Sequence, residues 1–405
     1  MKILVVSQFY DPEPVPIPGE IAREMQARGH SVRVLTGFPN YPSGRLAQGY
    51  RQRWRHREMD GDVEVRRVPL FLDHSQSALR RLVNYVTFAL SATSARRFAR
   101  GADVIYVYAT PMTAAFSAWL WRITGGAPYV VHVQDLWPDS VVGSSMVSAS
   151  RSSAIISAAL SPWLRSVYRR AASVVGIAPR MVTTLVERGS PRDRTMLLYN
   201  WAEPAERTRS TLREPGGPVR IVYAGNVGEM QDLDTVVRAA SAAADAGVEL
   251  LIVGDGVARP GLRELANELG ADNVVFRDPV PRSEMADVYE QSDFALVTLK
   301  DLPVFRGTIP SKFQAVLAAG LPVITTVQGD VREFVEANSV GLTADAEDVA
   351  SLEVAMRRAA AMDPAARTLM SRRAGDVFED SFSRESGLAR LEEIFKTASR
   401  TNGAS

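Results

Sequence analysis

The sequence contains no cysteine, which excludes disulfide bonds, thiolate metal ligands and cysteine nucleophiles. The lack of disulfides is compatible with a reducing cytoplasm. No stretch reaches the roughly 18 consecutive apolar residues that a membrane-spanning helix needs. Met1 leads directly into a predicted strand, Lys2–Ser7, so we expect no signal peptide. These features predict a cytoplasmic protein.

The net charge of the 405 residues is only +1, but the charges are unevenly distributed. Residues 1–200 hold 25 basic and 14 acidic side chains, whereas the remainder holds 22 basic and 32 acidic ones. Either the two halves meet different partners, or their opposite charges help them to dock on each other. The length suits two domains of roughly 200 residues each.

Short apolar runs alternate with glycine turns and amphipathic segments along the whole chain. Such runs are typical of strands that helices cover on both faces. We therefore predict an α/β fold with two facing Rossmann-like, doubly wound domains and a cleft between them. The first comprises residues 1–199 and a returning helix at 383–400, the second residues 219–382, and a polar linker at 200–218 joins them. We expect the first helix to follow a proline-rich loop at 11–18 and Gly19. Residues 38–62 are interpreted as an irregular basic excursion.

The second predicted domain combines glycine turns with a helix start. GNVG and GDG each follow an apolar run, and PSK opens a helix that Gly320 ends. We expect Ser311 to cap this helix. Strand ends, glycine turns and helix N-termini direct backbone N–H groups to the carboxyl edge of a parallel sheet, which suits a phosphorylated nucleotide.

Six motifs occur in order along the chain: GHSVRVLTGFPNYP, HVQDLWPDS, LLYNW, YAGNVG, LLIVGDG and PSKFQAVLAAGLPVI. Together they resemble retaining glycosyltransferases of family 4, which have the GT-B fold, and in particular a WbuB-like bacterial branch of aminosugar transferases. The resemblance covers essentially the whole chain. It implies transfer of a sugar from a nucleotide diphosphate with retention of the anomeric configuration, without a metal or other cofactor.

The same resemblance implies partners. The donor, a UDP-linked sugar such as an N-acetylated deoxyaminosugar, would bind the second domain. The acceptor, a polyprenyl-diphosphate-linked saccharide or another glycan, would bind the first domain during O-antigen or capsule assembly. A glycosyltransferase with a small-molecule acceptor is an alternative.

The candidate catalytic residues are His132, whose role rests on the resemblance, Asp135 as the nearest carboxylate, and Lys312 as a point charge. His132 would face the donor sugar, and Asp135 would accept a proton from the acceptor or orient a neighbouring group. Pyrophosphate would bind at the opening of the PSK helix. The implied donor-binding residues are Gly19, Gly225, Asn226, Gly228, Gln231, Gly254, Asp255, Gly256, Arg306, Thr308, Pro310, Ser311 and Lys312.

The chain also departs from the family pattern. Family members carry an arginine and a lysine after the first glycine turn, where positions 229–231 read Glu, Met and Gln. Typical family members also have two glutamates, one that contacts the donor sugar and one that contacts the ribose. The corresponding positions in this chain are Gly307 and Ala315, so both carboxylates are absent. We expect Gln231 to hydrogen-bond a phosphate or the sugar, and Arg306 together with the PSK lysine to replace the missing cations.

Structural interpretations remain open for each motif, namely an ordinary capped helix, plain turns and a structural histidine. Asp60-Gly61-Asp62 has the spacing of an acidic pair but lies outside the expected site, so we predict no metal site. Two alternatives to a glycosyltransferase remain. One is a non-hydrolysing nucleotide-sugar epimerase, a class that needs more carboxylates in the cleft than this sequence offers. The other is a catalytically silent scaffold subunit that binds nucleotide-sugars. Nucleic-acid binding lacks a recognition module.

Basic residues of the first half accompany apolar ones in Leu79–Arg100, a predicted amphipathic helix. Its apolar residues are Leu82, Val83, Val86, Phe88 and Leu90. Further arginines lie in Arg51–Arg57 and at Arg66-Arg67. This pattern predicts peripheral docking on the anionic inner leaflet of a membrane. A solvated basic face over an ordinary core helix is the alternative.

Overall fold

A computed structural model describes residues 1–73, 78–137, 151–202, 217–303 and 305–400. The chain divides into two compact units. The N-terminal unit comprises residues 1–198 and 388–405, and the C-terminal unit comprises residues 199–387. Most of the segment interpreted as a linker, residues 203–216, lies outside the described residues.

The described part of the N-terminal unit contains an eight-stranded sheet in the order β3-β4-β2-β1-β5-β6-β7-β8. All neighbouring pairs are parallel except β3 with β4. The strands are β1 (Lys2–Ser7), β2 (Ser31–Gly37), β3 (His56–Asp60), β4 (Val63–Val68), β5 (Val104–Ala109), β6 (Tyr129–Val133), β7 (Ser173–Gly176) and β8 (Thr195–Leu197).

The described part of the C-terminal unit contains a six-stranded, fully parallel sheet in the order β11-β10-β9-β12-β13-β14. Its strands are β9 (Val219–Ala224), β10 (Val248–Val253), β11 (Val274–Arg277), β12 (Phe294–Val297), β13 (Val323–Thr325) and β14 (Gly341–Thr343). Chain connections run in opposite directions from β9, since β10 and β12 are its two neighbours.

Helices connect the strands of both sheets. The α-helices are α1 (Pro16–Ala27), α2 (Ala78–Thr93), α3 (Arg96–Ala99), α4 (Ala115–Ile123), α5 (Arg151–Arg170), α6 (Pro179–Glu187), α7 (Leu233–Ala242), α8 (Arg259–Glu268), α9 (Met285–Glu290), α10 (Ser311–Ala318), α11 (Asp330–Asn338), α12 (Val349–Ala360), α13 (Pro364–Ser381) and α14 (Arg384–Arg400). Short 3₁₀ turns lie at Met112–Ala114, Arg192–Arg194, Glu229–Gln231, Ala244–Ala246 and Arg282–Glu284.

The central strands are buried on both faces, as their continuous apolar sequences predict. All six residues of β5 are buried, and β9 and β10 belong to one apolar core together with α7 and α12. The prediction of two Rossmann-like α/β domains is therefore confirmed. Among the described helices, none combines the length and apolarity that crossing a membrane requires.

Two local predictions were wrong. The end of the basic excursion forms β3, an edge strand that pairs antiparallel with β4. The first helix begins at Pro16 rather than after Gly19, because a proline in the first helical turn has a suitable φ and needs no acceptor for an N–H group.

Candidate functional site

The predicted donor residues of the C-terminal unit cluster where its chain connections reverse direction. The loop at 225–228 follows β9, and the loop at 298–310 follows β12, its hydrogen-bonded neighbour. In open α/β sheets, ligands bind at this point of the carboxyl edge. The sequence motifs are thus placed where the topology favours a ligand.

The first two glycine loops pack directly on each other. Gly225 and Val227 donate backbone hydrogen bonds to the carbonyls of Val253 and Asp255, each 2.9 Å long. Gly254 has a φ of +146°, and a Cβ atom there would overlap the carbonyl oxygen of Gly225. A Cβ atom on Gly256 would likewise overlap the carbonyl oxygen of Val227. Glycine is therefore required at both positions by loop packing itself.

Gly225 has a different environment, since it is exposed and borders a cation. A Cβ atom on this residue would lie 3.1 Å from Cε and 3.2 Å from Nζ of Lys312. The absence of a side chain therefore leaves room for the ammonium group at the backbone of the loop.

Lys312 is partly buried at this edge of the sheet. Its Nζ is 3.5 Å from the centroid of the Tyr223 ring, a cation–π contact. Among the described residues it has no carboxylate partner. Burial lowers the pKa of Lys312 to about 7. The site thus contains a partly desolvated positive charge with no counter-charge from the described part of the chain, and an anion would supply one.

The N-terminus of α10 adds backbone donors. The helix begins at Ser311 with Pro310 as its N-cap and no side-chain cap, so the prediction that Ser311 caps it was wrong. Phe313 donates to the Pro310 carbonyl at 3.0 Å. The preceding two N–H groups, of Ser311 and Lys312, lie before the first intrahelical donors and carry the positive end of the helix dipole.

Gln231 closes the first glycine loop. Its side-chain oxygen accepts hydrogen bonds from the N–H of Gly228 at 3.1 Å and from the amide of Asn226 at 3.3 Å. Its carbonyl accepts a hydrogen bond from Thr298 Oγ1 at 2.7 Å. Gln231 therefore links the loops that follow β9 and β12, and its amide oxygen is already engaged within the protein.

Arg306 forms an ion pair with Asp301 in the loop that precedes α10. Its guanidinium makes two hydrogen bonds to Asp301, 2.7 and 2.5 Å long. The expected replacement cation is therefore neutralised locally in this conformation. Thr308 is exposed in the same loop, and the exposed Asp255 accepts a hydrogen bond from the following N–H at 2.8 Å.

His132 lies in β6 of the N-terminal unit and is fully buried. Its Nδ1 is 2.8 Å from the hydroxyl of Tyr106, and the ring of Tyr108 lies edge-on to it. Burial lowers its pKa to about 3, partly offset by the backbone of Leu198. The imidazole is therefore neutral at physiological pH, and the structure gives it no exposed face. Its catalytic role stays a prediction.

Asp135 follows the end of β6 and is accessible to solvent. Surrounding protein atoms raise its pKa, and the Thr110 side chain partly lowers it. The nearby Trp137 is buried, with its ring centroid 6.3 Å from that of Tyr85. The rest of this motif, from residue 138, lies outside the described residues.

Gly19 is a buried helical residue in α1 rather than a turn residue, and its role in donor binding stays a prediction. A Cβ atom there would overlap the carboxylate of Asp11, which pairs with Arg23 at 2.8 Å. Asp60 also pairs with Arg23 at 2.8 Å and accepts a hydrogen bond from Tyr10. Within the described ranges, no three His, Cys, Asp or Glu side chains are grouped to hold a metal ion.

Three residues of the site were missed from the sequence. Tyr223 supplies the ring under the lysine, Thr298 joins the two loops, and Asp301 holds Arg306. Tyr223 carries a usable signal, because it stands at the end of a strand just before the glycine turn. The other two are ordinary loop residues in the sequence.

Comparisons with known proteins match both units to glycosyltransferases. A family model described as "Glycosyl transferase 4-like domain" matches residues 16–201, and one described as "Glycosyl transferases group 1" matches residues 218–361. WcaI of Escherichia coli K12, named for colanic acid biosynthesis, is 29% identical over 348 residues, covering 81% of this chain and 84% of WcaI.

Two further similarities concern the donor and the fold. A GDP-mannose-dependent alpha-mannosyltransferase of Mycobacterium tuberculosis is 26% identical over 187 residues, covering 44% of this chain and 46% of the relative. The crystal structure of Anabaena HepE in complex with UDP superposes with a TM-score of 0.63 at 14% identity, covering 98% of this chain and 100% of that one.

Proposed function

Since the chain belongs to the glycosyltransferases with the GT-B fold, we propose that it transfers a sugar from a nucleoside diphosphate to a saccharide acceptor with retention of the anomeric configuration. The observation that carries the proposal is the ammonium of Lys312, which lies beside the glycine loop and the N-terminus of α10 and pairs with no carboxylate of the described residues. These three features suit one ligand group, a diphosphate.

The proposed donor site holds the two phosphates by complementary charge. The N–H groups at the start of α10 and the Lys312 ammonium act on the phosphate oxygens, and the exposed backbone of Gly225 allows close approach. Negative charge grows on the diphosphate as the glycosidic bond breaks. Donors fixed in place before the reaction stabilise this charge without reorganisation.

The proposed transfer needs no protein nucleophile. The acceptor hydroxyl attacks the anomeric carbon on the face from which the diphosphate departs, and a phosphate oxygen of the leaving group takes the hydroxyl proton. The protein supplies the positive charge, so we expect the transfer to proceed without a divalent metal. Chelation by EDTA should leave the rate unchanged.

Asp135 is the proposed orienting group for the acceptor hydroxyl in the N-terminal unit. It is solvent-accessible, and its raised pKa marks a carboxylate that accepts a proton more readily than a fully hydrated one. His132 would act only as a neutral hydrogen-bonding group, because its pKa is about 3.

The donor is proposed to be UDP-linked, with an N-acetylated deoxyaminosugar as the transferred group. The fold's likeness to a UDP complex supports the nucleotide, whereas the mannosyltransferase relative is named for GDP-mannose. Both nucleotides therefore belong in the test. The acceptor is proposed to be a lipid-linked saccharide at the cytoplasmic face of the membrane, which the polysaccharide context in WcaI's name supports.

The proposal is tested with a panel of UDP-, GDP- and TDP-sugars. Thermal shifts first identify the nucleotide that stabilises the protein, and slow hydrolysis of that donor without acceptor separates an enzyme from a silent binding subunit. NMR of the transferred sugar then reports the anomeric configuration. Failure of every nucleoside diphosphate to bind overturns the proposal, and inversion of configuration overturns its mechanism.

A further inference from the structure

Helix α2 presents apolar side chains to solvent along one face. These side chains are between 37% and 56% exposed and follow helical spacing: Leu82, Val83, Val86 and Leu90. An amphipathic helix in a globular protein normally turns such a face toward the core. Here the face stays open, and contiguous exposed apolar surface of this kind marks an interaction site.

Two aromatic residues extend this face beyond the helix. Trp54 is 61% exposed and Phe71 is 40% exposed. The backbone of Phe71 is tied to α2 through a 2.9 Å hydrogen bond to Thr87 Oγ1. An open cavity of about 380 Å³ lies between them, lined also by Arg53 and Ser91. The aromatic residues, the cavity and the helix face thus form one surface.

An arginine cluster lies on the adjoining strands. Arg33, Arg57 and Arg66 place their guanidinium carbons 5.1, 5.6 and 5.9 Å from the ring centroid of Phe98. Arg57 and Arg66 stand directly opposite each other on β3 and β4, where like charges destabilise a sheet. Arg57 also pairs with Glu64 at 2.8 Å.

Within this cluster, Arg66 has no carboxylate partner among the described residues. Burial lowers its pKa, and the charges of Arg57 and Arg55 lower it further. Its Nε is buried and has no hydrogen-bond partner within the described residues. An anion bound at the exposed side of the cluster would relieve the repulsion.

The structure removes two residues from the membrane-docking surface predicted from the sequence, because both are buried. Arg67 is only 1% exposed and is bonded to Glu58 and to the Gly37 carbonyl, so it belongs to the interior. Phe88 is fully buried. The structure adds Trp54 and Phe71 to this surface, because both are exposed. Neither residue lies in the helix whose sequence pattern predicted the surface.

We infer that this surface docks the protein on a bilayer of anionic phospholipids. The apolar side chains of Trp54, Phe71 and α2 enter the interfacial region, while the arginines bind lipid phosphates. This inference rests on the proposed function, because a lipid-linked acceptor is reached only at a membrane. The docking surface is thus the part of the N-terminal unit that brings the enzyme to the membrane.

Charge complementarity favours a membrane over other occupants. A second copy of the chain would cover the apolar face but would bring two arginine clusters together. An acidic protein or a nucleic acid would neutralise the arginines and leave the exposed apolar helix face unused. An anionic bilayer offers hydrocarbon and phosphate side by side, which matches both parts of the surface.

The test is sedimentation with vesicles of phosphatidylcholine alone, and of equal parts phosphatidylcholine and phosphatidylglycerol. We expect the intact protein to bind only the anionic vesicles at moderate salt. Arg55→Glu should weaken the partition coefficient about fivefold or more, and Leu90→Ser by up to about tenfold. Arg358→Glu on α12 and Leu369→Ser on α13 are matched controls, because both residues are exposed in the C-terminal unit.

Nucleotide binding by the same proteins separates this inference from the proposed function. The two docking variants should keep the thermal shift with the donor, and a protein that binds vesicles but no nucleotide overturns only the proposed function. Absence of binding to anionic vesicles, equal binding to neutral ones, or equal loss in the control variants overturns the docking surface. A self-associated species that Leu90→Ser dissociates would assign the face to a second copy instead.

Discussion

The ammonium of Lys312 stands 3.5 Å from the centroid of the Tyr223 ring, and no carboxylate of the described residues pairs with it. A structural lysine in a half-buried position normally has such a partner, because desolvating an unpaired charge is costly. The helix N-terminus beside it adds more positive potential. This corner of the C-terminal unit is therefore arranged for an anion.

Removal of this cation should weaken donor binding without harming the fold. In Lys312→Ala we expect the affinity for the nucleoside diphosphate to fall about tenfold to a hundredfold, the range for losing a charge-assisted hydrogen bond. Isothermal titration calorimetry measures the change. Arg238→Ala on α7 removes one exposed charge of the same unit and should have no effect. Unchanged affinity in Lys312→Ala would remove the lysine from the site.

Donor affinity should depend on pH through the same group. The pKa of Lys312 is lowered to about 7, so raising the pH above 7 removes the charge in the free protein. We expect the affinity to fall by up to about tenfold per pH unit above 7, where the diphosphate is already fully ionised. Arginine stays protonated in this range, so Lys312→Arg should give a much flatter profile.

The stability of the unliganded protein should change in the opposite direction. Between the folded pKa of about 7 and the ordinary lysine value of 10.5, the unfolded chain binds more protons than the folded one. The contribution of Lys312 to the free energy of unfolding therefore rises with pH across this window. Denaturant melts of the intact protein and of Lys312→Met at several pH values measure the difference, and equal pH dependence in both would contradict the assignment.

Loop packing at Gly254 should tolerate no side chain. Gly254→Ala places a Cβ atom on the Gly225 carbonyl and imposes a φ of +146° on alanine. We expect a loss of about 2–5 kcal/mol in unfolding free energy, from overpacking together with backbone strain. Gly261→Ala in α8 meets no atom within 4 Å and should be neutral or stabilising. Thermal unfolding compares the two variants.

Arg306 should contribute to donor binding only when Asp301 releases it. Asp301→Asn weakens the two hydrogen bonds that hold the guanidinium, so we expect tighter donor binding if Arg306 replaces the missing family cations. Arg306→Ala should then reverse the gain in the double variant. If Asp301→Asn leaves the affinity of the donor unchanged, Arg306 has only a structural role in its loop.

The sequence predicted the strands and helices well where apolar residues follow a regular period. Edge strand β3 was not predicted because its sequence, HREMD, is mostly polar and charged and has no apolar run, although its pairing with β4 determines where the arginine cluster lies. The start of α1 was misplaced because the predicted glycine turn outweighed the stronger signal of Pro16 in the first helical turn.

The site was predictable in its backbone and less so in its side chains. Glycine turns and the helix start follow from local sequence, so Lys312 was expected in the first turn of this helix, where the structure has it. Its contact with Tyr223, the engagement of Gln231 within the loop, and the pairing of Arg306 with Asp301 each depend on how separate loops pack together. One sequence without its fold contains no signal for such pairings.

The most direct measurement is a crystal structure of the protein with the nucleoside diphosphate that stabilises it. We expect phosphate oxygens within hydrogen-bond distance of Lys312 Nζ and of the N–H groups of residues 311 and 312. A diphosphate bound away from the start of α10, with the lysine still resting on Tyr223, would contradict it.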